Sequence, residues 1–130
     1  MSDGYIEIVR RVYDAASRRD LDEILDVCDE DAEFVPLVGD GEPYRGPDGA
    51  RRLLADLDHM WSEFTIEVRE AIAIGDNIVA KLHAQGRGRR SGAEIHTFGT
   101  AVWSLRREKL WRGRHYERRG DALDAALLGE

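Results

Sequence analysis

A histidine and a glutamate stand two residues apart near the end of this chain, in the segment LWRGRHYE. Side chains alternate along a β-strand, so the two would share a face with Trp111 and Gly113. Histidine titrates close to neutral pH, so His115 could give a proton to a bound molecule or take one from it. Glu117 could orient the imidazole or raise its pKa as a nearby negative charge. That face is either a packed core with a wet end or the wall of a pocket, and in both cases His115 could be a hydrogen-bonded wall histidine without chemistry.

Helical patterns come before the strands and would form the other side of a site. Apolar residues at helical spacing predict a first helix around Tyr13 and a second helix that starts at Asp20, with Glu23 as its capping-box partner. Pro47 suits the first turn of a third helix. A short extended piece, residues 32–35, separates the second helix from the third.

From Phe64 onward the period changes to two, which predicts four long strands in hairpin succession. A last amphipathic helix follows Gly120. Helices segregated from a strand meander indicate an α+β fold with a mostly antiparallel sheet. We expect the sheet to be strongly curved and wrapped around the helices, which leaves a cone between the two layers.

The second and third strands predict which side chains face this cone. A hairpin tip near Arg89 and Arg90 would pair His83 with His96 on the outer face. We assign the less polar set to the inner face: Leu82, Ala84, Ile95, Gly99, Ala101 and Trp103. Small inner residues leave volume that large aromatic residues can line, which indicates an apolar pocket; the alternative is a dry core in which glycines mark tight curvature. The predicted lining residues are Tyr13, Phe34, Tyr44, Trp61, Trp103 and Trp111, with Tyr44 reaching in from the rim loop 39–46.

The outer face suggests contact with a second copy of the chain. Phe98, Val102 and Tyr116 would lie there on a broad open sheet, which favours a homodimer. A metal site at His83 and His96 lacks a nearby third ligand. We therefore predict no metal.

Composition narrows the class of protein further. The 130 residues favour a single domain spanning 1–130, and the net charge of −7 argues against a nucleic-acid partner. The lone cysteine, Cys28, excludes a disulfide within the chain. No apolar run approaches the length of a membrane span, and no signal peptide is recognisable at the start. These features favour a cytoplasmic protein without a membrane partner.

The segments SRRDLDEILDVCDEDAEFVP, YRGPDGARRLL and WRGRHYERRGDAL resemble the SnoaL-like polyketide cyclase group of the nuclear-transport-factor-2-like superfamily. The resemblance implies a cone-shaped α+β barrel. Ketosteroid isomerases in that superfamily place acids where this chain has Val35 and Ala101, and a tyrosine near Val12. Limonene-epoxide hydrolases place an arginine and an aspartate where this chain has Leu82 and Ala84. Neither of these two activities is therefore expected.

One polar position of the family remains, the aspartate that SnoaL-like cyclases place on the last strand, which corresponds to His115. The resemblance thus implies a cofactor-free catalyst of the cyclase, isomerase or dehydratase type, acting on a small apolar or polycyclic substrate. His115 would move the proton, Glu117 would support it, and Tyr13 or Tyr44 would donate a hydrogen bond. The alternative is a non-catalytic module for ligand binding or dimerisation.

Overall fold

The computed structural model describes residues 2–36 and 42–128 of the chain, with the side chains of the first helix described from Gly4 onward. The predicted rim loop therefore falls partly outside the described residues. The described residues form ten elements. In chain order they are α1 (Ser2–Arg18), α2 (Leu21–Val27), β1 (Cys28–Val35), β2 (Tyr44–Arg45), α3 (Gly46–Met60), β3 (Trp61–Ile74), β4 (Asn77–Gly88), β5 (Glu94–Arg106), β6 (Lys109–Tyr116) and α4 (Arg119–Leu128).

Local sequence signals account for the starts of two helices. The backbone N–H of Glu23 donates to Asp20 Oδ1 at 3.1 Å, so Asp20 is the N-cap of α2. The Glu23 carboxylate does not complete the box, because Arg11 of α1 binds it, with 2.7 Å from Nε to Oε1. Pro47 occupies the first turn of α3, where a missing N–H costs nothing.

The six strands form one curved sheet in the order β2-β1-β6-β5-β4-β3. Strands β3 to β6 are joined as antiparallel neighbours, and β1 pairs with β6 in parallel. The predicted α+β class and mostly antiparallel sheet are confirmed. No helix in residues 2–36 and 42–128 has the length and apolarity that crossing a membrane requires.

The pairing of β4 with β5 differs from the prediction by two residues. His83 lies opposite Phe98, and Gln85 lies opposite His96. The hairpin tip sits further along the chain than predicted, because Gly92 adopts a left-handed φ of +70° and the Gly88 N–H closes the turn on Ala93 O at 2.9 Å. A shift of two leaves each side chain on its predicted face, since strand faces alternate with a period of two.

The two faces of the sheet are covered by different helices. The main core lies between the inner face and α1, α2 and α3, and includes Val9, Ile78 and Leu110, which are almost fully buried. Helix α4 instead packs on the outer face, where Ala122 and Ala126 cover Val79, Val102 and Tyr116. The predicted partner surface is thereby reduced, because Val102 and Tyr116 are covered by the chain itself. Phe98 remains 59% exposed.

Candidate functional site

Two adjoining cavities lie between the inner face of the sheet and the helices. The larger has a volume of about 360 Å³ and lies against β3 to β6 and α3. The smaller, of about 210 Å³, lies between α1, α2, β1 and α3. Both are lined mainly by apolar side chains. They share the lining residues Tyr13, Ala16, Phe34, Tyr44 and Leu53.

Small residues on the sheet create much of the larger cavity. Ala84, Gly86 and Gly99 contribute little volume where β4 and β5 pass beneath it. Two large apolar lining residues are substantially exposed, Met60 at 53% and Ile95 at 43%, and the lining residues Gln85 and Thr97 are exposed as well. These side chains therefore mark where the cavity meets solvent.

A chain of three hydrogen bonds crosses the interior and ends at the predicted histidine. Trp103 Nε1 donates to Tyr13 Oη at 2.9 Å. Tyr13 Oη lies 3.0 Å from His115 Nε2, and His115 Nδ1 lies 3.1 Å from Val35 O. A carbonyl oxygen only accepts, so Nδ1 carries the proton and Nε2 offers its lone pair to the Tyr13 hydroxyl. Each polar atom in the chain thus has a partner of the opposite kind.

Burial keeps Tyr13 and His115, the two titratable groups in this chain of hydrogen bonds, neutral. Loss of solvent lowers the pKa of His115 to about 4, and the hydrogen bond to Val35 opposes this only in part. Burial likewise raises the pKa of Tyr13, and the bond from Trp103 partly offsets the rise. At neutral pH the pair is therefore an uncharged phenol bonded to an uncharged imidazole.

Backbone contacts and ring packing hold this chain of hydrogen bonds in place. Ser17 Oγ of α1 donates to Ile66 O at 3.0 Å and accepts from Ile66 N at 2.9 Å, which fixes α1 on β3. The Phe34 ring stacks on Trp103, with centroids 5.8 Å apart and planes at 17°. The same ring meets the His115 ring edge-on, at a centroid distance of 5.0 Å. The imidazole is therefore oriented by contacts from α1, β1 and β5.

A second polar pair lies in the wall of the larger cavity. Tyr44 Oη donates to Asp56 Oδ2 at 2.6 Å. Burial raises the pKa of Tyr44 to about 12, and the bond to the carboxylate adds to the rise. Asp56 was not predicted as a site residue from the sequence. Its position three residues after Leu53 and four before Met60, on the inner stripe of α3, was the signal that could have identified it.

Most of the predicted site residues are brought together. His115, Tyr13, Phe34, Tyr44 and Trp61 line the larger cavity. Trp103 lines the smaller cavity and reaches the site through its bond to Tyr13. Each of these residues therefore touches an interior cavity.

Trp111 lies elsewhere. A bulge in the pairing of β5 with β6 places Leu105 opposite Leu110 and Ser104 opposite Arg112, so Trp111 is the extra residue. Its ring packs against the guanidinium groups of Arg106 and Arg112, each 4.8 Å from the ring centroid. The prediction that Trp111 lines the cavity is therefore corrected, because the bulge breaks the alternation that the prediction assumed.

Glu117 does not contact His115 in the described part of the chain. Strand β6 ends at Tyr116, and the exposed Glu117 follows it. The imidazole is oriented by the carbonyl of Val35 on the parallel strand β1 instead. The alternating pattern therefore extended the predicted strand one residue too far.

Within residues 2–36 and 42–128, no three His, Cys, Asp or Glu side chains are grouped so that they could hold a metal ion. His83 and His96 stack with ring centroids 5.7 Å apart on the outer face. Burial raises the pKa of Cys28 to about 12, which keeps its thiol protonated and unreactive. The polar side chains that line the two cavities carry hydroxyl, imidazole, carboxylate, amide and thiol groups.

Several solved structures share this fold. TerC, co-crystallised with polyporic acid, is 22% identical, with 95% of this chain and 98% of TerC covered and a TM-score of 0.76. A Catenulispora acidiphila DSM 44928 protein with a ketosteroid isomerase-like fold, in complex with trimethylamine, is 16% identical, with 92% of each chain covered and a TM-score of 0.77. An M. tuberculosis LEH-like epoxide hydrolase is 15% identical, with 98% of this chain and 92% of that chain covered and a TM-score of 0.73. At such identities the similarity shows the fold alone.

A search of curated proteins gave no match. The family model of the SnoaL-like domain matches residues 9–113. That span runs from α1 into β6 and contains most of the residues that line the two cavities, while His115 lies just beyond its end. The resemblance that the sequence motifs indicated is confirmed: the chain belongs to the SnoaL-like domain family of the nuclear-transport-factor-2-like superfamily.

Proposed function

We propose that this chain binds a small, largely apolar molecule in the larger cavity and acts on it by cofactor-free acid–base chemistry. The volume of about 360 Å³ lies in the range of ligand-binding pockets. Apolar and aromatic walls with a few polar groups are also typical of such pockets. Two proteins of the same fold were solved with small molecules, polyporic acid and trimethylamine, which supports the use of this cavity for binding.

The observation that carries the proposal is the hydrogen bond between Tyr13 and His115 in the cavity wall. It joins one weak acid and one weak base at 3.0 Å, both uncharged and both held by further partners. A ligand carbonyl that accepted the Tyr13 hydrogen would turn that O–H away from the imidazole. Nε2 would then be free to take a proton from the ligand.

The reaction step follows from these two roles. Nε2 of His115 takes a proton from the carbon next to the carbonyl, and the electrons of that C–H bond move onto the carbonyl oxygen. Tyr13 donates its hydrogen bond to the oxygen as negative charge develops there, and Trp103 in turn donates to Tyr13. The proton on the imidazole then returns to the same carbon or to another atom of the ligand. Ring closure, isomerisation and loss of water can all begin with this step.

The low pKa of His115 determines how much free energy this proton transfer costs. Protonating a group of pKa about 4 at pH 7 costs about 4 kcal/mol. The imidazolium and the enolate oxygen would form an ion pair between mainly apolar walls, where opposite charges attract more strongly than in bulk solvent. The proposal therefore requires that the proton move only as the oxygen gains its charge.

A test uses proton exchange in β-tetralone, a bicyclic ketone with acidic hydrogens beside its carbonyl. We expect the protein to accelerate replacement of those hydrogens in D₂O, followed by NMR. His115→Gln keeps an acceptor for Tyr13 but removes the base, and should lower the rate at least about 100-fold. The control is His59→Ala, which removes an exposed histidine from α3. Exchange by the His115→Gln protein at the parent rate would refute the role of His115.

A second function, binding without chemistry, is favoured by one observation. Every polar atom of the hydrogen-bond chain Trp103–Tyr13–His115–Val35 already has a partner. The Tyr13–His115 pair is therefore stable without a ligand. The same experiment separates the two functions. Saturable binding of β-tetralone with exchange no faster than in buffer would identify a binding module.

We propose in addition that the chain forms a homodimer through the outer face of its sheet. The support is the exposed ring of Phe98, which packs on His83 at a centroid distance of 4.8 Å beside His96. Helix α4 leaves this end of the face uncovered. A second copy of the chain would remove the exposed ring from water.

A further inference from the structure

We infer that the larger cavity selects a ligand that carries a positively charged nitrogen on an apolar body, and that Asp56 binds the charge. This inference names the ligand class for the proposed function and rests on it only in that the ligand must occupy the larger cavity. It does not require that His115 catalyse a reaction.

Asp56 is a charged group in the wall of an otherwise apolar cavity. The residue is partly buried on α3, and Tyr44 Oη is the hydrogen-bond donor to its side chain in the described part of the chain. Asp56 forms no salt bridge with any Lys, Arg or His in that part. The guanidinium of Arg52, one turn earlier, lies over the Tyr44 ring, 4.7 Å from its centroid. The carboxylate thus retains acceptor capacity for a ligand.

Aromatic rings line the same cavity as this carboxylate. Phe34 and Tyr44 form one group, with centroids 6.2 Å apart, and Trp61 and Phe64 form another, with centroids 5.7 Å apart. Aromatic faces carry negative potential and attract ammonium groups, whether primary or fully alkylated. Arg52 and Arg19 already lie over the Tyr44 and Phe64 rings. The remaining aromatic surface, including that of Trp61, therefore favours a cation and also binds the apolar part of a ligand.

The other acidic or basic residues that line the two cavities have the same sign as Asp56. No lysine or arginine is among the described residues that line either cavity, whereas the smaller cavity is lined by Asp29, Glu30 and Glu33. Burial keeps His115 uncharged, so the far wall does not repel a cation. Asp29 and Glu33 are paired with Arg106 and Arg45, whereas Asp56 has no such pair among the described residues. An anionic ligand in the larger cavity would therefore lie beside a carboxylate without a compensating positive charge.

The test compares three ligands with one body. Tetralin bearing an amine, a hydroxyl or a carboxylate at the same β carbon differs mainly in charge, and tryptophan fluorescence or calorimetry measures each affinity. We expect the amine to bind about tenfold more tightly than the alcohol, and the carboxylate to bind most weakly. Alcohol or carboxylate binding as tight as that of the amine, or no binding of the amine, would overturn the inference.

The residue is tested with Asp56→Asn, which removes the charge and preserves an acceptor for Tyr44, so the fold should survive. The preference for the amine over the alcohol should disappear in this variant. Asp48→Asn is the matched control, because it makes the same change of net charge on an exposed residue of α3. Retention of the preference in Asp56→Asn, or its loss in Asp48→Asn, would show that Asp56 does not bind the charge.

Failure of this inference and failure of the proposed chemistry give different results. If the protein exchanges β-tetralone hydrogens through His115 but prefers the alcohol, the proposed acid–base chemistry stands and the selection of a cationic ligand is refuted. If the protein selects the amine through Asp56 but leaves β-tetralone unexchanged, the selection of a cationic ligand stands and the proposed chemistry is refuted.

Discussion

An uncharged imidazole is far less costly to bury than a charged one, and the surroundings of His115 reflect this difference. Its two nitrogens meet one acceptor, Val35 O, and one donor, the Tyr13 hydroxyl. That arrangement fits the neutral ring in a single tautomer. A second proton on Nε2 would face the Tyr13 oxygen, which already accepts from Trp103.

The stability of the protein should therefore depend on pH through His115. The folded-state pKa of about 4 lies below the usual value of 6.5, so the unfolded chain takes up the proton first as the pH falls. The contribution of His115 to the free energy of unfolding is complete above pH 6.5 and declines by about 3 kcal/mol as the pH falls to 4. Urea unfolding of the parent and of His115→Gln at both ends of this range measures it. A stability difference between the two proteins that is equal at pH 7 and pH 4 would contradict the expectation.

Single residues differed in how far the sequence could predict them. His115 faces the interior as its alternation with Gly113 suggested, because both follow the bulge and keep a period of two. Asp56 could not be recognised as part of a site from type alone, since one acid on a helix is usually solvated. Its importance depends on Tyr44, which reaches it from another element.

At the scale of elements, the site depends on one close contact between β5 and β6, in which the ring of Trp103 lies against Gly113. A Cβ atom at Gly113 would lie 2.5 Å from the ring of Trp103, so only glycine leaves room for the indole that bonds Tyr13. Glycine in this strand was read from sequence as a source of empty volume. In the structure the volume is filled by Trp103, and the cavity lies beside it.

Gly113→Ala should therefore destabilise the protein by about 1–3 kcal/mol, because the added methyl group must displace the indole ring. The weakened Trp103–Tyr13 bond should also lower β-tetralone exchange. Urea unfolding measures the first effect and NMR exchange the second. Gly4→Ala is the control, because nothing lies within 4 Å of the added atom and alanine favours helix α1. Equal stabilities of the two variants would contradict the packing argument.

The bulge at Trp111 leads to a separate prediction. Trp111→Ala should leave the affinity for β-tetralone unchanged, because the ring stacks between Arg106 and Arg112 away from the cavities. Loss of the two cation–π contacts should reduce stability by about 1–2 kcal/mol. Trp61→Ala, which alters the cavity wall, should weaken binding in the same assay. Weaker binding by the Trp111→Ala protein would place that residue back at the site.

The sequence located the elements better than their contacts. Hairpin order and helix caps are local, so periodicity and cap residues predicted them. The bulge between β5 and β6 and the two-residue offset between β4 and β5 depend on how the backbone closes each turn. The alternation of side chains along these strands does not reveal either feature. The packing of α4 was also hidden, because its buried residues are the small ones, Ala122 and Ala126, while Leu127 and Leu128 are exposed.

At the scale of the whole molecule, the curvature of the sheet creates the interior space, and the placement of acidic and basic residues determines the charge of its walls. The sheet curves around three helices and leaves an interior with carboxylates but no described basic lining residue. Arginines such as Arg11, Arg18 and Arg106 instead form ion pairs at the surface. Acidic residues of this chain, whose net charge is −7, thus reach the interior, which supports the proposed cationic ligand.

The outer face gives the last prediction, which concerns assembly. A two-fold contact through Phe98 would bury the ring in both copies, so Phe98→Ser should lose about 3 kcal/mol or more of association energy, two powers of ten in the dissociation constant. Light scattering during size-exclusion chromatography should give twice the chain mass of 14.7 kDa for the parent and a single chain for Phe98→Ser. Leu127→Ser is the control, because Leu127 is 71% exposed on α4. A monomeric parent, or a dimeric Phe98→Ser protein, would mean that copies do not meet through this face.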